Sequence, residues 1–127
     1  MKTNFKFLAF SYTLLTSFFT ISTVQPKEIT MQKAHTVVCV LEAKSGKEND
    51  LKQILLSVAE KSRQEATNRE YRLHQDKANP AQFVLYENWE SAEKHALQFE
   101  KTYIKELVGQ LENLLAKPYQ VIFAEEL

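Results

Sequence analysis

The runs Arg69–Asp76 (REYRLHQD) and Gln82–Trp89 (QFVLYENW), separated by Lys77-Ala-Asn-Pro-Ala81, decide how this chain folds. In the first, Tyr71 and Leu73 alternate with Arg72, His74 and Asp76, the period of a strand with one apolar face. The second is apolar on both parities, and Asn79-Pro80 between them is turn chemistry. Together they read as a β-hairpin.

Upstream, Glu65–Asn68 is polar and turn-like. Before it, Leu51, Ile54, Leu55 and Val58 recur at helical spacing among Lys52, Gln53, Glu60 and Lys61, which predicts an amphipathic helix from about Lys47 to Gln64. Ser45-Gly46 separates that helix from Ala34–Lys44 (AHTVVCVLEAK), a strand with Val37, Cys39 and Leu41 on one parity and Val38 and Val40 on the other. Apolar residues on both parities predict burial on both faces. Downstream, Ser91 caps one long helix with Glu93 in its first turn, and Ala92, Ala96, Phe99, Tyr103, Leu107, Leu111, Leu114 and Leu115 mark its expected buried face. Gly109 weakens this helix midway, Pro118 ends it, and Tyr119–Glu125 (YQVIFAE) forms a last strand.

The resulting order, β-α-β-β-α-β, is the split βαβ or ferredoxin-like arrangement. It is an α+β fold in which a four-stranded antiparallel sheet carries two helices on one face. The first, third and fourth strands are apolar on both faces, yet the helices shield only one. Leaving Val, Leu, Ile and Phe exposed on the other would forgo roughly 1.5–3 kcal/mol each. The sequence therefore predicts a homodimer packed sheet against sheet.

This domain is expected to span residues 31–127, and residues 1–30 read as a signal-peptide-like leader and linker. Lys2 and Lys6 precede the apolar run Phe7–Phe19, and Thr20, Ser22 and Thr23 lead to Gln25-Pro26. The run is shorter than the ~20 residues of a membrane-spanning helix, so no stable span is expected. Cleavage of the leader implies a periplasmic or secreted domain. Translation from Met31 implies a cytoplasmic one.

Lysine plus arginine and aspartate plus glutamate each number 16 in the 127 residues, so the formal charge is zero. Without a basic field, nucleic acid is not an expected partner. The single cysteine, Cys39, reads as a small buried hydrophobe. The sequence has no Gly-rich phosphate loop, Gly-x-Ser-x-Gly, Cys-x-x-Cys or His-Glu-x-x-His. His35, His74 and His95 fall in three different elements without metal-ligand spacing, so no metal site is expected.

Aromatic and hydrogen-bonding residues concentrate instead in the hairpin and second helix: Tyr71, His74, Tyr86, Asn88, Trp89, His95, Gln98 and Tyr103. Around a cavity between sheet and helices, they would suit a flat, phenol-like molecule. The structural alternative makes Tyr71, Tyr86 and Trp89 ordinary core aromatics and His74 a solvated surface histidine.

The segments VVCVLEAKSGKENDLKQILL, EYRLHQD and QFVLYENWESAE, with the Asn-Pro loop, closely resemble the antibiotic biosynthesis monooxygenase domain family, which includes quinol monooxygenases. The resemblance covers residues 31–127 and implies a dimeric α/β-barrel. Many members act on quinols or polyketide phenols with O2 and without flavin, metal or haem; relatives degrade haem or isomerise a phosphorylated signalling sugar. By resemblance, Trp89 corresponds to the family's tryptophan near the substrate cavity, and His74 to a position where histidine is common. Quinol-oxidising members usually carry helix histidines where this chain has Gln98 and Tyr103. The resulting expectation is a cofactor-independent monooxygenase of a small quinol or phenol, with His74 as base, Trp89 and Tyr86 packing the ring, and Gln98, Tyr103 and His95 as polar contacts. The alternatives are a non-catalytic dimeric module that binds a small molecule, and an isomerase in which Arg63, Arg69 and Arg72 converge.

Overall fold

The computed structural model describes residues 33–127, so the leader expected over residues 1–30 and the alternative start at Met31 lie outside the described residues. Seven elements follow one another: β1 (His35–Glu42), α1 (Glu48–Arg63), β2 (Asn68–Gln75), β3 (Gln82–Trp89), α2 (Ala92–Gln98), α3 (Thr102–Leu114) and β4 (Gln120–Ala124). The strands form one antiparallel sheet in the order β2-β3-β1-β4, the ferredoxin-like arrangement.

Turn chemistry fixes the hairpin. Asp76 Oδ1 accepts from the Ala78 amide at 2.7 Å, Asn79 Oδ1 accepts from the Ala81 amide at 3.2 Å, and the Gln82 amide donates to the Asn79 carbonyl at 2.9 Å. Between β1 and α1, the Lys47 amide donates to the Lys44 carbonyl at 2.9 Å. The third residue of that turn, Gly46, has φ +81°, a value that favours glycine.

One face of the sheet meets the helices. Val37 and Leu41 of β1, Tyr71 of β2, and Phe83, Leu85 and Trp89 of β3 are buried there against Leu51, Leu55 and Val58 of α1 and Ile104, Leu107 and Leu111 of α3. Phe83 and Trp89 are wholly buried, and each such aromatic contributes roughly 1.5–3 kcal/mol by leaving water. The opposite face presents Val38, Val40, Val84 and Tyr86 half-buried and Ile122 exposed, the apolar surface expected of an interface.

The long second helix expected from Ser91 onward is two helices. Ser91 does cap the first, its Oγ accepting from the Lys94 amide at 3.3 Å. Yet α2 buries His95 and Gln98, not Ala96 and Phe99, while α3 buries Ile104, Leu107, Leu111 and Leu114. Gln98 and Ile104 are six positions apart in the sequence, where two unbroken turns need about seven. The break over Phe99–Lys101 removes the mismatch. It closes with i→i+3 bonds, including Lys101 N–H to the Gln98 carbonyl at 2.9 Å. Gly109 lies inside α3, eleven residues past Gln98, the last residue of α2, and does not set the break.

Candidate functional site

Strand alternation places Phe83, Leu85, Glu87 and Trp89 on the helix-facing side of β3. Glu87 therefore enters the core, where it is only 5% exposed. It lines a cavity of about 590 Å³ between the sheet and α2 and α3, a volume suited to a drug-sized organic molecule. The imidazole- or amide-bearing side chains that line it with Glu87 are His35 of β1 and His95 and Gln98 of α2, and Tyr71 of β2 adds a phenol.

These groups are held by one another. The Glu87 carboxylate accepts from Trp89 Nε1 at 2.9 Å, and the Tyr71 phenol, opposite it in the β2–β3 register, also supports it. His95 Nε2 lies 3.7 Å from the same Glu87 oxygen, beyond hydrogen-bond reach. The His95 ring is packed by Trp89 at 5.6 Å, Phe99 at 5.4 Å and His35 at 5.3 Å between centroids. Burial, with His35 nearby, lowers the His95 pKa to about 4, so the imidazole is neutral at pH 7. Burial raises the Glu87 pKa, opposed by the bonds from Trp89 and Tyr71, which makes its carboxylate a stronger base than an exposed one. Burial, with Glu87 adding, pushes the Cys39 thiol up to about 12. Cys39 is thus a protonated, unreactive part of the lining.

A second network stands behind Gln98. Its Nε2 donates to Ser62 Oγ at 2.7 Å and to the Tyr103 hydroxyl at 3.3 Å, and Tyr103 donates to Glu65. Ser62 is wholly buried, so the amide group of Gln98 is fixed and its carbonyl oxygen is the acceptor left for a ligand.

Of the six residues given a role in the site from sequence, His95 and Gln98 line the cavity. Trp89 and Tyr103 stand one layer behind, holding Glu87 and Gln98 respectively. His74 and Tyr86 do not join them. His74 pairs with Val84 and Tyr86 pairs with Val38, which puts both on the sheet face opposite the helices, with His74 exposed. The expectation of a base at His74 and a ring contact at Tyr86 in this cavity is corrected accordingly: strand alternation directs both side chains away from it. Arg63, Arg69 and Arg72 do converge, but around a separate surface depression with Asn68 and Glu70, and none of them lines the cavity. Glu87 is the residue that sequence reasoning missed. Its signal was a carboxylate on the parity of Phe83, Leu85 and Trp89, where charge is rarely buried without a purpose. Among the described residues, no three His, Cys, Asp or Glu side chains are grouped to hold a metal ion. No helix among them is long and apolar enough to cross a membrane.

The family model described as antibiotic biosynthesis monooxygenase matches residues 34–107. Among solved structures, PA3566 from Pseudomonas aeruginosa is similar with a TM-score of 0.73 and 23% identity, over 76% of this chain and 97% of that one. A Nitrosomonas europaea protein that carries the family's name gives 0.71 and 20%, over 76% and 92% of the two chains. Rv0793 from Mycobacterium tuberculosis gives 0.71 and 19%, over 75% and 96%. At these identities the likeness shows a shared fold. No curated protein matches the sequence.

Proposed function

Because this chain belongs to the antibiotic biosynthesis monooxygenase family, we propose that it is a monooxygenase that inserts oxygen from O2 into a small quinol or phenol bound in the Glu87 cavity, without a cofactor. The reaction balances on the substrate's own electrons. A quinol with a free ring position plus O2 gives a hydroxyquinone plus water: one oxygen atom enters the ring, and the other leaves as water with the substrate's hydrogens. Deprotonating the quinol makes it electron-rich enough to reduce O2. The protein then has to bind it, accept a proton and limit water.

The observation that carries this reading is Glu87, a carboxylate of raised pKa facing an otherwise largely apolar cavity. It accepts the hydroxyl proton, in the role expected of His74. Neutral His95 and the Gln98 carbonyl oxygen hydrogen-bond the substrate oxygens, Trp89 holds Glu87, and Tyr103 holds Gln98. The apolar second face of the sheet supports a homodimer, and the layout Lys2, Lys6, Phe7–Phe19 supports export.

One observation favours a second reading, a binding module without turnover: the positions of the helix histidines hold Gln98 and Tyr103, which are bonded to each other and are poor bases. Oxygen uptake by the purified full chain with menadiol and related quinols, against an autoxidation control, separates the two. Uptake above autoxidation is expected. Uptake equal to autoxidation across the panel would move the assignment to the binding module.

A further inference from the structure

The buried polar side chains of the cavity, Tyr71, Glu87, His95 and Gln98, gather at one end of it. Register sets Tyr71, Glu87, Val37 and Phe123 in one row across the sheet, and His95 of α2 stands beside that row, its Nε2 3.7 Å from the Glu87 carboxylate. The next helix-facing row is Leu85, Cys39 and Val121, and the row beyond contains Leu41. Over these rows runs α3, toward the bridge that Leu115 makes with Ala43, bringing Ile104, Leu107 and Leu111 into the lining. Among the described residues, the lining side chains past the Glu87 row that carry a heteroatom are Cys39, whose thiol is protonated, and Tyr119, which is 44% exposed. From Val37 to Leu41 is four residues, roughly 13 Å at about 3.3 Å per residue, about twice the length of a single-ring quinol.

A ring oxygenated on all sides would bury unpaired oxygens against Leu41, Leu107 and Leu111, which is unfavourable. A bare single ring would fill the Glu87 row and leave apolar space beyond it. We infer that the natural ligand is amphipathic: a hydroxylated aromatic head at Glu87, His95 and Gln98, joined to a hydrocarbon chain that lies beneath α3 toward Leu41. This rests on the Glu87 cavity being the substrate site and deepens that reading by giving the substrate its class, an alkyl- or prenyl-substituted quinol or phenol.

Trp89 is the sole tryptophan and lies 5.6 Å from His95, so its fluorescence reports on the head-group end. The full chain is titrated without O2 with 2-hydroxy-1,4-naphthoquinones carrying 3-alkyl chains from methyl to octyl. Kd is expected to fall by about three- to fourfold per added methylene and to level off near the sixth carbon, roughly where the chain reaches Leu41. Val108 lines the cavity wall and is 51% exposed, so Val108→Asp is compatible with folding. It should weaken the octyl compound at least tenfold and leave the methyl compound unchanged, as should Leu111→Phe. A Kd independent of chain length, or a chain-length gain that both variants keep, would overturn the inference. Chain-dependent binding without oxygen uptake from the corresponding quinols would count against the oxygenase reading alone. Uptake with menadiol but flat binding would count against the chain alone.

Discussion

Glu87 and His74 stand on neighbouring strands, and alternation sends them to opposite faces of the sheet. Acting as proton acceptor, Glu87 contributes through a carboxylate, so Glu87→Gln should lower kcat by about 10²–10⁴, while His74→Ala leaves it unchanged in the same oxygen-electrode assay. In the wild type, kcat should decline as pH falls through the raised Glu87 pKa, because the protonated acid cannot accept a proton. His95 carries a stability prediction of defined sign. Its folded pKa of about 4 lies below the ordinary 6.5, so the unfolded chain takes up the proton first as pH drops. The stability associated with neutral His95 is therefore present above about 6.5 and is lost between 6.5 and 4, by about 3 kcal/mol. Glu87 and His35 face this ring, and the raised Glu87 pKa acts in the opposite sense. Comparison with His95→Leu by urea unfolding at neutral and acid pH isolates the His95 share. Equal acid losses in both proteins would contradict it. In the sequence, the polar parity that His74 shares with Arg72 and Asp76 leaves a solvated histidine and a base equally open. Strand alternation, which sends His74 outward, sends Glu87 inward with Leu85 and Trp89.

The hairpin, β1, α1 and β4 are legible in the sequence because each has a clear period and a chemical stop: Asn79-Pro80, Ser45-Gly46 and Pro118. The break between α2 and α3 is not, because apolar periodicity assumes that the buried face of a helix is apolar. Here the buried face of α2 is His95 and Gln98, and the apolar series Ala92, Ala96, Phe99 runs one position out of phase with it. What keeps Gln98 inward is its pair of bonds to Ser62 and Tyr103. Gln98→Leu leaves the buried Ser62 hydroxyl without that donor and should destabilise the fold by about 1–3 kcal/mol in chemical denaturation. Ser91→Ala removes a cap and should cost about 1 kcal/mol. If Gln98→Leu is neutral, the break is set by apolar packing on α3 and not by the amide network.

For the whole molecule, the sheet is the organising unit: helices and cavity on one face, Val38, Val40, Val84, Tyr86 and Ile122 on the other. That division was readable from strands apolar on both parities, whereas the cavity and its contents depend on how α2 and α3 cross the sheet, which no local pattern encodes. Covering the second face with its own copy predicts a dimer by light scattering at micromolar concentration, and Ile122→Lys, at a position 53% exposed in the monomer, should shift it to monomer without unfolding it. A wild-type monomer would leave that apolar face unexplained. The central claim is that the Glu87 cavity carries out oxygen insertion, and isotopic labelling tests it most directly. The full chain is supplied with menadiol under ¹⁸O₂, and the product is analysed by mass spectrometry. The account predicts a hydroxylated naphthoquinone carrying one ¹⁸O atom, formed by the wild type and lost in Glu87→Gln. Unlabelled menadione alone, formed at the rate of autoxidation, would contradict it.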